Sequence, residues 1–166
     1  LALGYLGLRI LIVRKTLKDL ERNYVRPLQI AYAQLPPEVR PDYSVSNRVF
    51  WFKTGSYIEM AFCDIDSDAD GLKGSEWDIL FLDEATELSD HQYGVLNSCV
   101  RGVNDLPKRT YLTCNSGGVG HDNIRRLFIV KDYRRSERPK DYTFIQARVW
   151  DNIPLMMSDE GFRRAF

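Results

Sequence analysis

WDILFLDEATEL, residues Trp77 to Leu88, is a run of apolar strand formers that stops abruptly at two carboxylates. Four apolar residues, Ile79 to Leu82, bounded by polar ones, predict a short strand buried on both faces, as in a parallel sheet covered by helices. Asp83 and Glu84 then fall at its C-terminal edge. In open α/β sheets ligands bind at that edge, and a carboxylate pair is costly to desolvate unless it has a task there.

Two readings of the pair are open. In one, Asp83 is the N-cap of a helix whose first turn gains from the negative charges of Glu84 and Glu87. In the other, the stretch is a Walker B strand. Asp83 then holds a Mg²⁺ ion through water, and Glu84 orients and polarises the water that attacks the γ-phosphate of a nucleotide such as ATP.

At 166 residues, with 44% hydrophobic and 12% aromatic content, the chain has the composition of one globular domain with a real core. Lys+Arg and Asp+Glu balance at 23 each, so no global basic field marks a nucleic-acid binder, although a local patch is compatible with this balance. The cysteines Cys63, Cys99 and Cys114 lack CxxC spacing and lie in or beside apolar runs, which predicts reduced thiols, no disulfide framework and no zinc site. The apolar start, LALGYLGLRILIV, is interrupted by Arg9 and falls short of the ~20 residues that span a bilayer. It also lacks the basic n-region and cleavage site of a signal peptide. The chain begins with Leu1 and stops at Phe166 inside an expected helix, so it reads as a fragment.

Outward from the central stretch, strands and helices alternate. Residues 1–8 read as the tail of a helix packed on a sheet with Gly7 as C-cap, and Arg9 to Val13 as a buried strand. Thr16 caps a helix whose apolar face is Leu17, Leu20, Tyr24, Leu28 and Ala31, ended by Pro36-Pro37. A β-hairpin is expected from Arg48 to Cys63 around Thr54-Gly55-Ser56, followed by a loop from Asp64 to Ser75. Ser89 or Asp90 caps a helix to about Arg101, and Arg109 to Asn115 is a further buried strand. After the turn Ser116 to Gly120 come a helix at about 122–130, a charged loop, a last strand from Tyr142 to Val149, and a final helix opened by Ser158-Asp159-Glu160. The whole is an α/β sheet with one hairpin insertion.

Two successive crossovers deliver polar residues to one edge: Asp83-Glu84 on one strand, Thr113-Cys114-Asn115 on the next. A Thr and an Asn beside a catalytic carboxylate can hold an attacking water or sense the departure of a phosphate. Alternatively, Asn115 and Gly117-Gly118 form an ordinary turn after a strand. Arg14 and Lys15 end the first strand on that same edge, where they can face nucleotide or DNA or serve as a solvated strand end. His91 and His121 have no partner at metal-ligand spacing, RRSERPK at 134–140 reads as a solvated loop or a contact to DNA phosphates, and Phe50 to Phe52 as core or a base-stacking platform.

Taken together, RILIVRKTLKDLERN at 9–23, GLKGSEWDILFLDEATEL at 71–88 followed by Arg101, TCNSGGVGH at 113–121 with RRLF at 125–128, and Asp151-Asn152 resemble the ATPase domain of phage terminase large subunits. The resemblance covers nearly the whole chain. It implies a P-loop NTPase-like, mostly parallel sheet of the additional-strand, catalytic-glutamate type, flanked by helices. Asp83 becomes the Mg²⁺-associated Walker B acid, Glu84 the catalytic glutamate, and Thr113, Cys114 and Asn115 the coupling motif. Lys73 stands where the family often has a trans-acting arginine, and Ser116 where it commonly has proline. Arg14, Lys15 and Arg101 are candidate nucleotide or DNA contacts beside these.

The resemblance further implies that residues 1–166 are a partial ATPase domain, with the Walker A loop and its strand upstream and a two-metal nuclease domain downstream. On that reading the fragment by itself is expected to be inactive. The intact protein would use ATP and Mg²⁺ to package double-stranded viral DNA into a procapsid. Its expected partners are the portal protein and the small terminase subunit. Its expected setting is a homo-oligomeric ring in the host cytoplasm, transiently at the procapsid portal, with no membrane involved. Two rivals stay open at this point: a helicase-like DExx ATPase, since DEAT also fits that box, and a degenerate, non-enzymatic prophage remnant.

Overall fold

The computed structural model describes residues 1–158 and 161 and divides into two compact units, Leu1–Ile124 and Arg125–Phe166. The first holds a six-stranded sheet of β1 (Arg9–Arg14), β2 (Asp42–Ser44), β3 (Val49–Trp51), β4 (Tyr57–Phe62), β5 (Ile79–Leu82) and β6 (Arg109–Leu112), in the order β2-β3-β4-β1-β5-β6. Strands β4, β1, β5 and β6 are mutually parallel, whereas β2, β3 and β4 are antiparallel neighbours. The expected hairpin is therefore present as β3 and β4, and it carries a third strand, β2, that the sequence reading left out.

Apolar runs place β1 and β5 at the centre. Ile10 to Val13 are all buried and pair in register with Ile79 to Leu82. Alternation divides the core. Ile10 and Ile12 cluster with Leu20, Val25, Phe50, Phe52, Ile58 and Met60 on one face, as expected for a strand covered on both sides.

Thr16 caps the next helix through its hydroxyl, which accepts from the Asp19 backbone N–H. That helix is continuous but not uniform: α1 (Leu17–Leu20), a π-helical turn (Glu21–Val25) and α2 (Arg26–Ala33). Pro27 lacks the N–H that an α-helix would offer to the carbonyl four residues back, and the wider turn just before it accommodates the loss. The extra residue in that turn moves the buried face, so Val25 is buried and Tyr32 packs on Phe50 and Phe52, while Ala31 is exposed.

Other expectations are corrected. Residues 1–7 form one helical turn, with Tyr5 N–H donating to the Leu1 carbonyl, and Gly7 is left-handed as a C-cap would be. The segment is not a packed helix, because Leu1, Leu3, Tyr5 and Leu6 are exposed. Within the expected loop 64–75 sits a short helix, α3 (Asp66–Asp70), nucleated by the Asp68 carboxylate accepting from the N–H groups of Asp64 and Ile65. Helix α4 (Asp90–Ser98) begins with a capping box in which Ser89 and Gln92 exchange side-chain-to-backbone hydrogen bonds. β6 is shorter than predicted and only half buried, since it lies at the sheet edge. Helix α5 spans His121–Arg125.

In the second unit a π-helical turn (Arg126–Val130) is followed by 3₁₀ turns at Pro139–Asp141 and Val149–Asp151, and by α6 (Ile153–Ser158). Arg126 and Glu137 form a bidentate pair, which holds the Glu137 carboxyl down at about 2. The predicted strand from Tyr142 to Val149 does not form. Alternation alone cannot make a strand without a partner to pair with, and Tyr142 instead packs against the rings of Phe128 and Tyr133. The last helix is already formed at Ile153, ahead of the expected start at Ser158; Asp159 and Glu160 are outside the described residues. Among the described residues no helix is long and apolar enough to cross a membrane.

Candidate active site

At the C-terminal edge of the sheet the register of β1 and β5 brings Arg14 beside Asp83. The Asp83 N–H donates to the Val13 carbonyl, and Arg14 Nε lies 3.0 Å from Asp83 Oδ2. The other carboxylate oxygen, Oδ1, accepts a hydrogen bond from the Thr113 hydroxyl. That hydroxyl in turn accepts from the Glu84 N–H at 3.4 Å, so one threonine at the end of β6 ties both acids at the end of β5. The Asn115 amide donates to both oxygens of Glu84, at 3.1 and 3.3 Å.

Tyr24 completes the group and was missed in the sequence because it sits at an ordinary apolar helix position. Burial, and then the neighbouring Asp83 carboxylate, push the Tyr24 hydroxyl up to about 12, so it stays protonated.

Glu84 has left-handed backbone angles, φ 52° and ψ 51°, which cost a non-glycine residue about 1–2 kcal/mol. The surroundings hold it there. Ala85 N–H donates to the Thr113 carbonyl at 2.8 Å, and the Thr86 hydroxyl to the Asn115 carbonyl at 3.1 Å. Gly120 N–H donates to the Thr86 carbonyl at 2.9 Å. Gly118 passes so close that a Cβ there would lie 2.2 Å from the Thr86 oxygen, and its φ is +89°, so the glycine turn is both a turn and a brace for the acids. His121 Nδ1 closes the turn by accepting from Gly117 N–H.

The helix-cap reading of Asp83 gives way to this arrangement. A 3₁₀ turn (Ala85–Glu87) follows the acids with no side-chain cap, and the next helix is capped by Ser89. The carboxylate of Asp83 is turned toward Thr113 and Arg14 instead.

The remaining sequence candidates are dispersed. Cys114 is exposed between the two polar residues. Lys15 donates to the Asp64 carbonyl, and Lys73 pairs with Asp70 at 2.7 Å, which also meets His91 at 2.8 Å. Arg101 lies at the other edge of the sheet, where its N–H donates to the Trp77 carbonyl and its Nε is 3.9 Å from Glu76.

That other edge is built around Asp78, whose side chain is fully buried. Its carboxylate accepts from the Arg9 backbone and guanidinium, and from Asn104 Nδ2 at 3.0 Å, with Lys108 Nζ 3.1 Å away. Burial alone would raise the Asp78 carboxyl, but these donors together outweigh it and hold the pKa below the usual range. Gly102 allows the closure, since a Cβ there would meet Arg9 Nη2 at 2.2 Å.

The donor chemistry at Asp83 fits a magnesium ion, which keeps several waters and binds through one or two carboxylates plus substrate phosphates. Among the described residues no cluster of three or more metal-ligating side chains forms an all-protein cage.

The chain is thus a mixed α/β fold, a mostly parallel sheet flanked by helices, with two acids ending a central strand and a Thr and an Asn ending its neighbour. Comparison with solved structures sharpens this. The large terminase of a thermophilic bacteriophage, in complex with ADP, matches with a TM-score of 0.70 at 16% identity over 100% of this chain. A second crystal form of the same terminase gives a TM-score of 0.62 at 13% identity over 99%. The chain spans 39% and 41% of those two terminase chains. It therefore shares the fold of that part of these large terminases. Comparisons with protein-family models and with curated proteins give no match.

Proposed function

We propose that this chain is part of the ATP-hydrolysing motor of a phage terminase large subunit, which drives double-stranded DNA into a procapsid. The observation that carries the reading is the shared edge of β5 and β6, where Thr113 bridges Asp83 and Glu84 and Asn115 holds Glu84. The fold of a large terminase, solved with ADP, supports it.

In this reading Glu84 orients and polarises the attacking water, and Asp83 holds the magnesium ion through water. The ion, when bound, neutralises charge developing on the phosphate oxygens. Thr113 and Asn115 connect the acids to the start of the glycine turn, so a change at Glu84 is passed directly to Ser116–Gly120. No GxxxxGK[ST] sequence occurs in the chain. A phosphate-binding loop upstream and a nuclease domain downstream belong to the proposal, as do a trans-acting role for Lys73, a homo-oligomeric ring, the portal and the small subunit as partners, and a place in the host cytoplasm. DNA would be gripped through its backbone without sequence readout.

The test is packaging by the full-length protein. With Mg²⁺, ATP and procapsids bearing their portal, linear duplex DNA is expected to become protected from nuclease, and protection to vanish without ATP. Duplex unwinding with no protected DNA would overturn the reading in favour of a helicase-like enzyme.

A further inference from the structure

Arg14 is held against Asp83 in an unusual way. Its Nε is 3.0 Å from Oδ2, with the arginine 12% and the aspartate 19% exposed, yet this buried N–H makes no hydrogen bond among the described residues. The contact is one of charge without an aligned donor, unlike Arg9 on Asp78, where Nε, Nη2 and the backbone N–H all donate. A second acid waits nearby: Glu87 Oε2 lies 4.0 Å from Arg14 Nη1 and is about half exposed. Thr113 donates to Asp83 Oδ1, and Oδ2 faces Arg14, so a cation entering at Oδ2 meets the guanidinium.

We propose that Arg14 is the resident counter-cation of Asp83 and is exchanged for the divalent metal, moving toward Glu87 as the hydrated ion takes its place beside the carboxylate. This rests on the reading of Asp83 as the metal-associated acid. An arginine and a dication compete for one carboxylate because each neutralises it and each repels the other. Glu87 keeps the displaced guanidinium paired, and its unaligned Nε–H loses nothing on leaving. In the absence of metal, Arg14 keeps the partly exposed Asp83 carboxylate paired. Arg14 is thus a positioning residue, one that gates the metal through Asp83.

The exchange is read from metal binding alone. Mn²⁺ affinity of the full-length protein, without nucleotide, is measured from the free-ion spin-resonance signal for wild type, Arg14→Gln, Arg14→Lys and Asp83→Asn. Arg14→Gln is expected to bind Mn²⁺ about tenfold more tightly than wild type, since the competing charge is gone while an amide remains. Arg14→Lys, which keeps the charge, should stay close to wild type. Equal or weaker binding in Arg14→Gln, with Asp83→Asn still losing the ion, overturns the exchange and leaves the site assignment intact. Mn²⁺ bound equally by wild type and Asp83→Asn overturns both. The wild-type protein gives a second readout that needs no folded variant. The ¹⁵Nε resonance of Arg14 should move on Mg²⁺ titration and saturate with the metal, while that of Arg9 stays fixed. An unmoved Arg14 resonance at saturating metal overturns the proposal.

Discussion

β1 and β5 carry the same charges at both ends: Arg9-ILIV-Arg14 beside Asp78-ILFL-Asp83, locked in one parallel register. The two ends nevertheless differ in kind. At the N-terminal end Asp78 is fully buried and saturated with donors from β1 and from the 101–108 segment. At the C-terminal end Asp83 is partly open, its arginine is misaligned, and the next residue is strained. Identical ion pairs thus become a rivet at one edge and a candidate site at the other. What decides is the number of donors that converge and the water left around them.

The largest expected effect breaks the rivet. Removing one partner of a buried ion pair costs about 3–5 kcal/mol, so Asp78→Ala should lower the hydrogen-exchange protection of the β1 and β5 amides by that amount. Asp83→Asn should lower it by about 1 kcal/mol or less, because the amide still accepts from Thr113 and Glu87 remains for Arg14. Comparable losses at the two positions would erase the distinction.

Acid sharpens the same contrast. The Asp78 carboxyl is held below its unfolded value of about 3.9, so the stability it contributes is complete above that pH and is lost as pH falls toward the native pKa. The difference in protection between wild type and Asp78→Asn should therefore shrink as the solution is taken below about pH 4. A difference independent of pH would mean that Asp78 contributes through packing and not through charge.

A smaller effect should have the opposite sign. Glu84→Gly relieves the left-handed backbone and should raise the thermal unfolding midpoint, by up to about 1 kcal/mol of stability, while abolishing hydrolysis in the full-length protein. A less stable variant would show that the Glu84 side chain, through Asn115, holds the turn in place.

Much of this was legible in the sequence. The apolar runs of β1 and β5 named the central strands, and the abrupt end of ILFL at Asp83-Glu84 marked the edge, because burial and periodicity are local signals. Thr113 and Asn115 were legible because the alternation of strands and helices places successive strand ends side by side. Tyr24 was not, since a tyrosine at an apolar helix position looks like core until the helix is laid across the sheet. Asp78 reads only as the polar residue that bounds the strand; nothing local distinguishes it from Asp83, and its partners Asn104 and Lys108 are a loop away. The shifted helix face followed from a π-helical turn before Pro27, which a regular 3.6-residue period does not anticipate. The missing strand after Tyr142 shows the converse: alternation is a permission to pair, and pairing needs a neighbour.

The most direct test of the account is turnover by Glu84→Gln in the full-length protein, with nucleotide binding measured in parallel. The substitution keeps the shape of the side chain and an acceptor for Asn115 but removes the charge that the proposal assigns to polarising water. The account predicts ATP bound close to wild-type affinity and hydrolysis reduced by a factor of about 10² or more. Hydrolysis at the wild-type rate would contradict it, and would leave both ends of β5 as scaffold.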